Sequence, residues 1–158
     1  NTGEIAWQAT PENKARYTVN APAVRLAVGY IAGEEIQLGD LTLKVTKAQE
    51  GWAAVAVAAL DNKPLAQSSR ILVVAAGRVE NTNMGWNDER TSVQNKWGSP
   101  PVVAEGIEAV IALPAGKEAS ALDGAGKPKS PVELRTEGQR TILTIGPKHE
   151  TLWYGVTQ

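Results

Sequence analysis

The sequence predicts an all-β fold: an antiparallel two-sheet β-sandwich of jelly-roll type. Three observations carry the prediction. Short apolar runs recur along the whole chain with turn chemistry between them. Several of these runs alternate apolar and polar residues, the period of a half-buried strand. No stretch keeps the 3.6-residue apolar spacing of an amphipathic helix for more than about two turns. With 158 residues, the chain suits one module spanning 1–158, since about 100–150 residues is the commonest domain size.

The elements follow in order. Ile5-Ala6-Trp7 precedes a turn at Thr10-Pro11-Glu12-Asn13, and Arg16-Tyr17-Thr18-Val19-Asn20 alternates until Pro22. Residues 24–31 form an apolar run closed by Gly33, and Ile36-Gln37-Leu38 and Leu41-Thr42-Leu43-Lys44-Val45 alternate strictly. Residues 52–60 (WAAVAVAAL) mix the helix preference of Ala with the strand preference of Val. Their bounding turns, Gly51 and Asp61-Asn62-Lys63-Pro64, favour a strand. Residues 70–79 read as another strand on their β-branched content, with one short helical turn at 65–69 between the two. After a long loop come strands at 102–103, 106–113, 119–122, 132–135, 141–145 and 151–156. Residues 124–131 (GAGKPKSP) read as a loop within the same module.

Composition removes several functions. There is no Cys, which excludes thiol catalysis, disulfides and thiolate metal sites. Sixteen basic residues against seventeen acidic ones leave no charge excess to attract nucleic acid or an anionic membrane. His149-Glu150 begins like a zinc-protease motif, but Trp153 stands where the second His is required. His149 therefore reads as a polar residue at a strand end. No Gly-x-Ser-x-Gly elbow is present, and no catalytic residue is assigned. A start at Asn1, without Met or a basic apolar leader, is expected of a module excised from a larger protein.

The chain has five Trp and three Tyr but no Phe, so its aromatic rings mostly carry a polar tip. Two of the Trp fall in residues 81–101, a stretch rich in Asn and Gly with almost no aliphatic content. A loop this long in a compact domain is commonly functional, and its Trp argue for order. Sugars present apolar C–H faces and hydroxyl edges, so a sugar site needs flat rings beside donors and acceptors. Trp86 and Trp97 supply candidate faces, and Asn81, Asn83, Asn87, Asp88 and Arg90 candidate edges. Burying about 80–100 Å² on one Trp is worth about 2 kcal/mol. The competing reading is that each Trp plugs the end of the core, its indole N–H bonded to a loop carbonyl. Trp7, Trp52 and Trp153 sit in strand patterns and read as packing residues. Glu80, Asp88, Glu89 and Glu105 bracket the loop as surface charge, as a sugar-contacting or structural calcium set, or as a carboxylate pair for glycoside cleavage.

Leu60-Asp61-Asn62-Lys63-Pro64-Leu65, Ser68-Ser69-Arg70-Ile71-Leu72 and Arg78-Val79-Glu80-Asn81-Thr82-Asn83-Met84-Gly85-Trp86-Asn87 carry a resemblance. Lys96-Trp97-Gly98-Ser99-Pro100, Glu105-Gly106, Leu122-Asp123-Gly124 and Trp153-Tyr154 extend it. Together they resemble a C-terminal β-sandwich segment of large bacterial glycoside hydrolases, over about residues 17–157. The resemblance implies a secreted accessory module beside a catalytic domain, with polysaccharide as partner, and it carries no catalytic residue. The expectation is a non-catalytic carbohydrate-binding module for β-glucan, mannan or xylan. The alternative is a sandwich that buttresses the catalytic domain without binding glycan; a glycosidase activity of its own ranks last.

Overall fold

Alternation decides which side chains each strand sends into the core. The computed structural model describes residues 2–9 and 14–158, so the turn expected at Thr10-Pro11-Glu12-Asn13 lies outside the described residues. Among them are fifteen strands, numbered in chain order, three single 3-10 turns and no α-helix. One sheet has eight strands in the order β1 (Ile5–Ala9), β2 (Ala15–Ala21), β3 (Val24–Tyr30), β6 (Trp52–Ala59), β7 (Arg70–Ala76), β15 (Trp153–Thr157), β11 (Glu118–Leu122) and β12 (Pro128–Val132). The other runs β13 (Leu134–Glu137), β14 (Arg140–Ile145), β10 (Glu108–Leu113), β5 (Leu41–Lys47) and β4 (Glu35–Leu38). A two-stranded ribbon, β8 (Val79–Thr82) and β9 (Ser99–Ala104), stands apart from both. The named strands pair antiparallel throughout. This is the sandwich-like arrangement that the alternation predicts.

The core lies between the two sheets. The larger sheet contributes Ala27, Ala53, Val55, Val57, Ile71, Val73, Tyr154 and Val156, and the smaller contributes Leu41, Leu43, Val45, Ala109, Ile111, Leu113 and Leu143. Arg25 is the charged exception, 8% exposed on β3. Its Nε donates to the Leu38 carbonyl at 2.9 Å, and Nη2 meets Asp40 at 3.0 Å, which satisfies the buried guanidinium. Arg25 apart, the inner faces of β3 and β6 are small or aliphatic, and their outer faces are equally apolar.

Three differences from the sequence reading have local causes. Residues 70–79 are not one strand: the chain leaves the sheet at Gly77 and begins the ribbon at Val79. A Cβ at Gly77 would lie 2.1 Å from Glu105 Oε2, and the Gly77 N–H donates to the Glu105 carbonyl at 3.0 Å. Residues 128–132, within and just after the stretch read as a loop, form edge strand β12, where Pro128 and Pro131 cost no inner ladder bonds. The helical turn expected at 65–69 is the 3-10 turn Leu65–Gln67, and it buries Leu65 completely.

Candidate functional site: an aromatic cleft beside the ribbon

The ribbon fixes the ends of the long loop, which reduces to residues 83–98. Asn87 organises its interior. The Asn87 Oδ1 accepts from the Thr91 and Ser92 N–H groups at 2.8 and 3.0 Å, and its Nδ2 donates to Glu89 and Thr91. Asn81 Nδ2 donates to the Trp97 carbonyl at 2.9 Å, tying the ribbon to the loop's far end. Gly98 closes the loop at φ +73, where a Cβ would meet the Thr82 carbonyl oxygen at 2.4 Å. Asn83 and Arg90 also hold left-handed backbone, at φ 58 and 53. The loop is an ordered structure built on its own polar side chains.

Trp86 is held at two points. Its indole N–H donates to Glu80 Oε2 at 2.7 Å, and the Arg90 guanidinium lies 5.0 Å from its ring centre. Arg90 in turn bridges Glu80 at 2.8 Å and Glu50 at 2.6 Å, and Arg78 pairs with Glu50 as well. The Trp86 N–H first, and then Arg90, hold the Glu80 carboxyl below the usual carboxylate range, against the opposing effect of burial. Trp86 is thus anchored to a carboxylate on the ribbon rather than plugged into the core with a loop carbonyl.

Beside it, Tyr30 and Trp52 are directly opposite neighbours on β3 and β6. Their positions alternate with the buried Gly29 and Ala53, so both rings stand on the outer side of the sheet. Trp86, Trp52 and Tyr30, with Gly77, Arg78, Val79 and Glu80, line an open cleft of about 440 Å³. A depression of about 510 Å³ on the smaller sheet has Glu35, Gln37, Lys44, Glu137 and Arg140 in its lining but no aromatic ring. The cleft is the place where aromatic faces and charged groups meet.

The residues expected from sequence separate here. Trp86 lines the cleft and Arg90 stacks on it, while Asn81 and Asn87 spend their amides inside the loop. Asp88 and Asn83 are exposed. Trp97 is 63% exposed and is not part of the cleft lining, so the structure does not pair it with Trp86. Trp7 and Trp153, expected to pack, are 69% and 38% exposed; the buried ring is Tyr154 at 2%. Trp52 and Tyr30 are the residues that sequence reasoning missed. The alternation of 52–58 carried a signal, since Trp52 falls on the Ala54 and Ala56 face, opposite Val55 and Val57.

The acidic residues around the loop serve its architecture. Glu105 accepts the Gln49 N–H at 2.6 Å and the Arg78 N–H at 3.1 Å, clamping the ribbon to the turn before β6. Among the described residues no group of three or more His, Asp or Glu side chains is placed to hold a metal ion. His149 sits in the 3-10 turn Pro147–His149, edge-on to Tyr154 at 5.5 Å, and burial lowers its pKa. The chain matches no protein-family model, no curated protein and no solved structure.

Proposed function

We propose that this chain is a non-catalytic carbohydrate-binding module and that the Tyr30–Trp52–Trp86 cleft is its sugar site. The observation that carries the reading is the convergence of three aromatic rings on one open cleft whose rim bears Glu80 and Arg78. A pyranose stacks its C–H face on an indole, and its hydroxyls take the rim's donors and acceptors. Two buried ring faces supply about 4 kcal/mol, the equivalent of a dissociation constant of about 1 mM, and the rim's hydrogen bonds work against the association costs. Arg90 and Glu80 act as positioning residues, because they fix the Trp86 plane before ligand arrives. The resemblance to accessory segments of bacterial glycoside hydrolases supports polysaccharide as ligand, a linked catalytic domain as partner and secretion of the parent protein.

The test is affinity electrophoresis of the chain in gels containing β-glucan, mannan or xylan. Retardation by at least one is expected, and unretarded migration in all three overturns the proposal. The second reading, a buttressing sandwich without glycan binding, is favoured by one observation. The amides of Asn81 and Asn87 are already bonded within the loop and offer little to a ligand. It predicts unretarded migration throughout.

A further inference from the structure

We infer that the outer face of the eight-stranded sheet is the contact surface for a second copy of this chain. The inference rests on observations other than the sugar reading's but bears on it: a two-fold axis between β3 and β6 also sets Tyr30 over the partner copy's Trp52, so self-association and glycan compete for the cleft. Burial of Ala27, Ala53, Val55, Val57, Ile71 and Val73 toward the core leaves the alternate residues of β3, β6 and β7 on the opposite face. Between the level of Val24 and that of Val28 these are Val, Leu and Ala only. Neighbouring strands extend the surface with Tyr17, Val19 and Ala21 on one side and Trp153 on the other. With strands about 4.8 Å apart and same-face residues about 6.8 Å apart, five strands and three rows make a footprint of about 490 Å². That is about three-fifths of the ~800 Å² per partner of a standard interface, toward the upper end of what a monomer leaves uncovered.

The register identifies the occupant. Across β3 and β6, large and small residues face each other row by row: Val24 with Ala58, Leu26 with Ala56, Val28 with Ala54. The Ala row forms a trough beside a Val/Leu ridge. A two-fold axis parallel to the strands, between β3 and β6, lays each copy's ridge in the other's trough. The same axis sets Tyr17 over Ala76, Val19 over Val74 and Ala21 over Leu72, because these residues share the rows of Val28, Leu26 and Val24. Large meets small again at Tyr17 with Ala76 and at Leu72 with Ala21, and Val19 on Val74 is an even pair. Such self-complementarity is what an isologous interface requires, and the copies would stack as aligned sheets. No charged side chain occupies these rows, and a net charge of −1 repels a second copy weakly. A polysaccharide fits these aliphatic rows poorly, since Val, Leu and Ala leave its buried hydroxyls unpaired.

Sedimentation equilibrium tests this on the whole chain. The expected result is a dimer of twice the 16.8 kDa chain mass, with a micromolar dissociation constant. Ala56→Leu sets Leu against the partner's Leu26 and should raise that constant at least ~100-fold. Adding Leu26→Ala, which swaps ridge and trough, should restore association. A chain that stays monomeric at ~500 μM, above the micromolar range at which specific association is read, overturns the inference. So does an Ala56→Leu variant that dimerises like the wild type. A second measurement does not depend on those variants folding. The chain has no native Cys, so Val19→Cys and Val74→Cys chains, mixed and treated with a short bismaleimide, should cross-link to each other in preference to themselves. Cross-linking without that preference overturns the proposed axis.

Discussion

Replacing Glu80 with Ala removes two charge-assisted hydrogen bonds at once, those to the Trp86 indole at 2.7 Å and to Arg90 at 2.8 Å. Such bonds are each worth about 1.5–3 kcal/mol when protected. The Glu80 side chain retains 25% exposure, so the lower figure applies, and the pair sums to about 3 kcal/mol. Arg90 keeps its Glu50 partner, whereas the indole N–H is left half-buried without one. For a chain of this size about 1 kcal/mol moves Tm by about 3 °C, so Glu80→Ala should lower it by about 9 °C. Glu80→Gln keeps an acceptor for the indole but not the charge, and should lose about half as much. Thermal unfolding followed by far-UV circular dichroism reads the stability. The near-UV spectrum reads the Trp86 environment, which should change in Glu80→Ala before any unfolding. A Tm within about 1 °C of wild type with an unchanged near-UV spectrum would refute the idea that Glu80 organises the cleft.

Other consequences reach the core and the acid limb. Arg25→Ala leaves the Leu38 carbonyl without its guanidinium donor and Asp40 without its counter-charge. Its urea midpoint should fall by the equivalent of ~2 kcal/mol, the scale of one buried charge-assisted bond, since Asp40 is 41% exposed and stays solvated. The Ser69 backbone N–H, at 2.8 Å, is the chief cause that brings the Asp61 pKa down to about 2. A depressed folded-state pKa means stability that is present above the unfolded value of 3.8 and lost as pH falls toward 2. Asp61→Asn should therefore flatten the fall in urea midpoint between pH 4 and pH 2, and an unaltered slope would count against this assignment.

The fold was legible because alternation survives in β4 and β5, whose inward residues are apolar on schedule. The orientation of β6 and β7 was less so. Both faces of residues 52–59 are apolar, and hydrophobicity alone does not decide whether Trp52 or Val55 points inward. The larger sheet outnumbers the smaller by eight strands to five, which leaves outer strands such as β1 uncovered and puts Trp7 into solvent. Composition marked the Trp86 loop correctly as ordered. It could not reveal that Asn81 and Asn87 are bonded within that order, nor that Trp86 meets Tyr30 and Trp52 from 56 and 34 residues away. Those partners follow from the β3–β6 register and the exit at Gly77, both of them tertiary facts.

The claim that the cleft, rather than the loop's own Trp pair, binds sugar is tested most directly by calorimetric titration with a retarding polysaccharide. Wild type, Trp52→Ala, Trp86→Ala and Trp97→Ala are compared on the same glycan. The account predicts that Trp52→Ala and Trp86→Ala each weaken binding at least ~10-fold, losing about the 2 kcal/mol of one ring face, while Trp97→Ala binds as wild type. Binding lost with Trp97 and retained without Trp52 would contradict it.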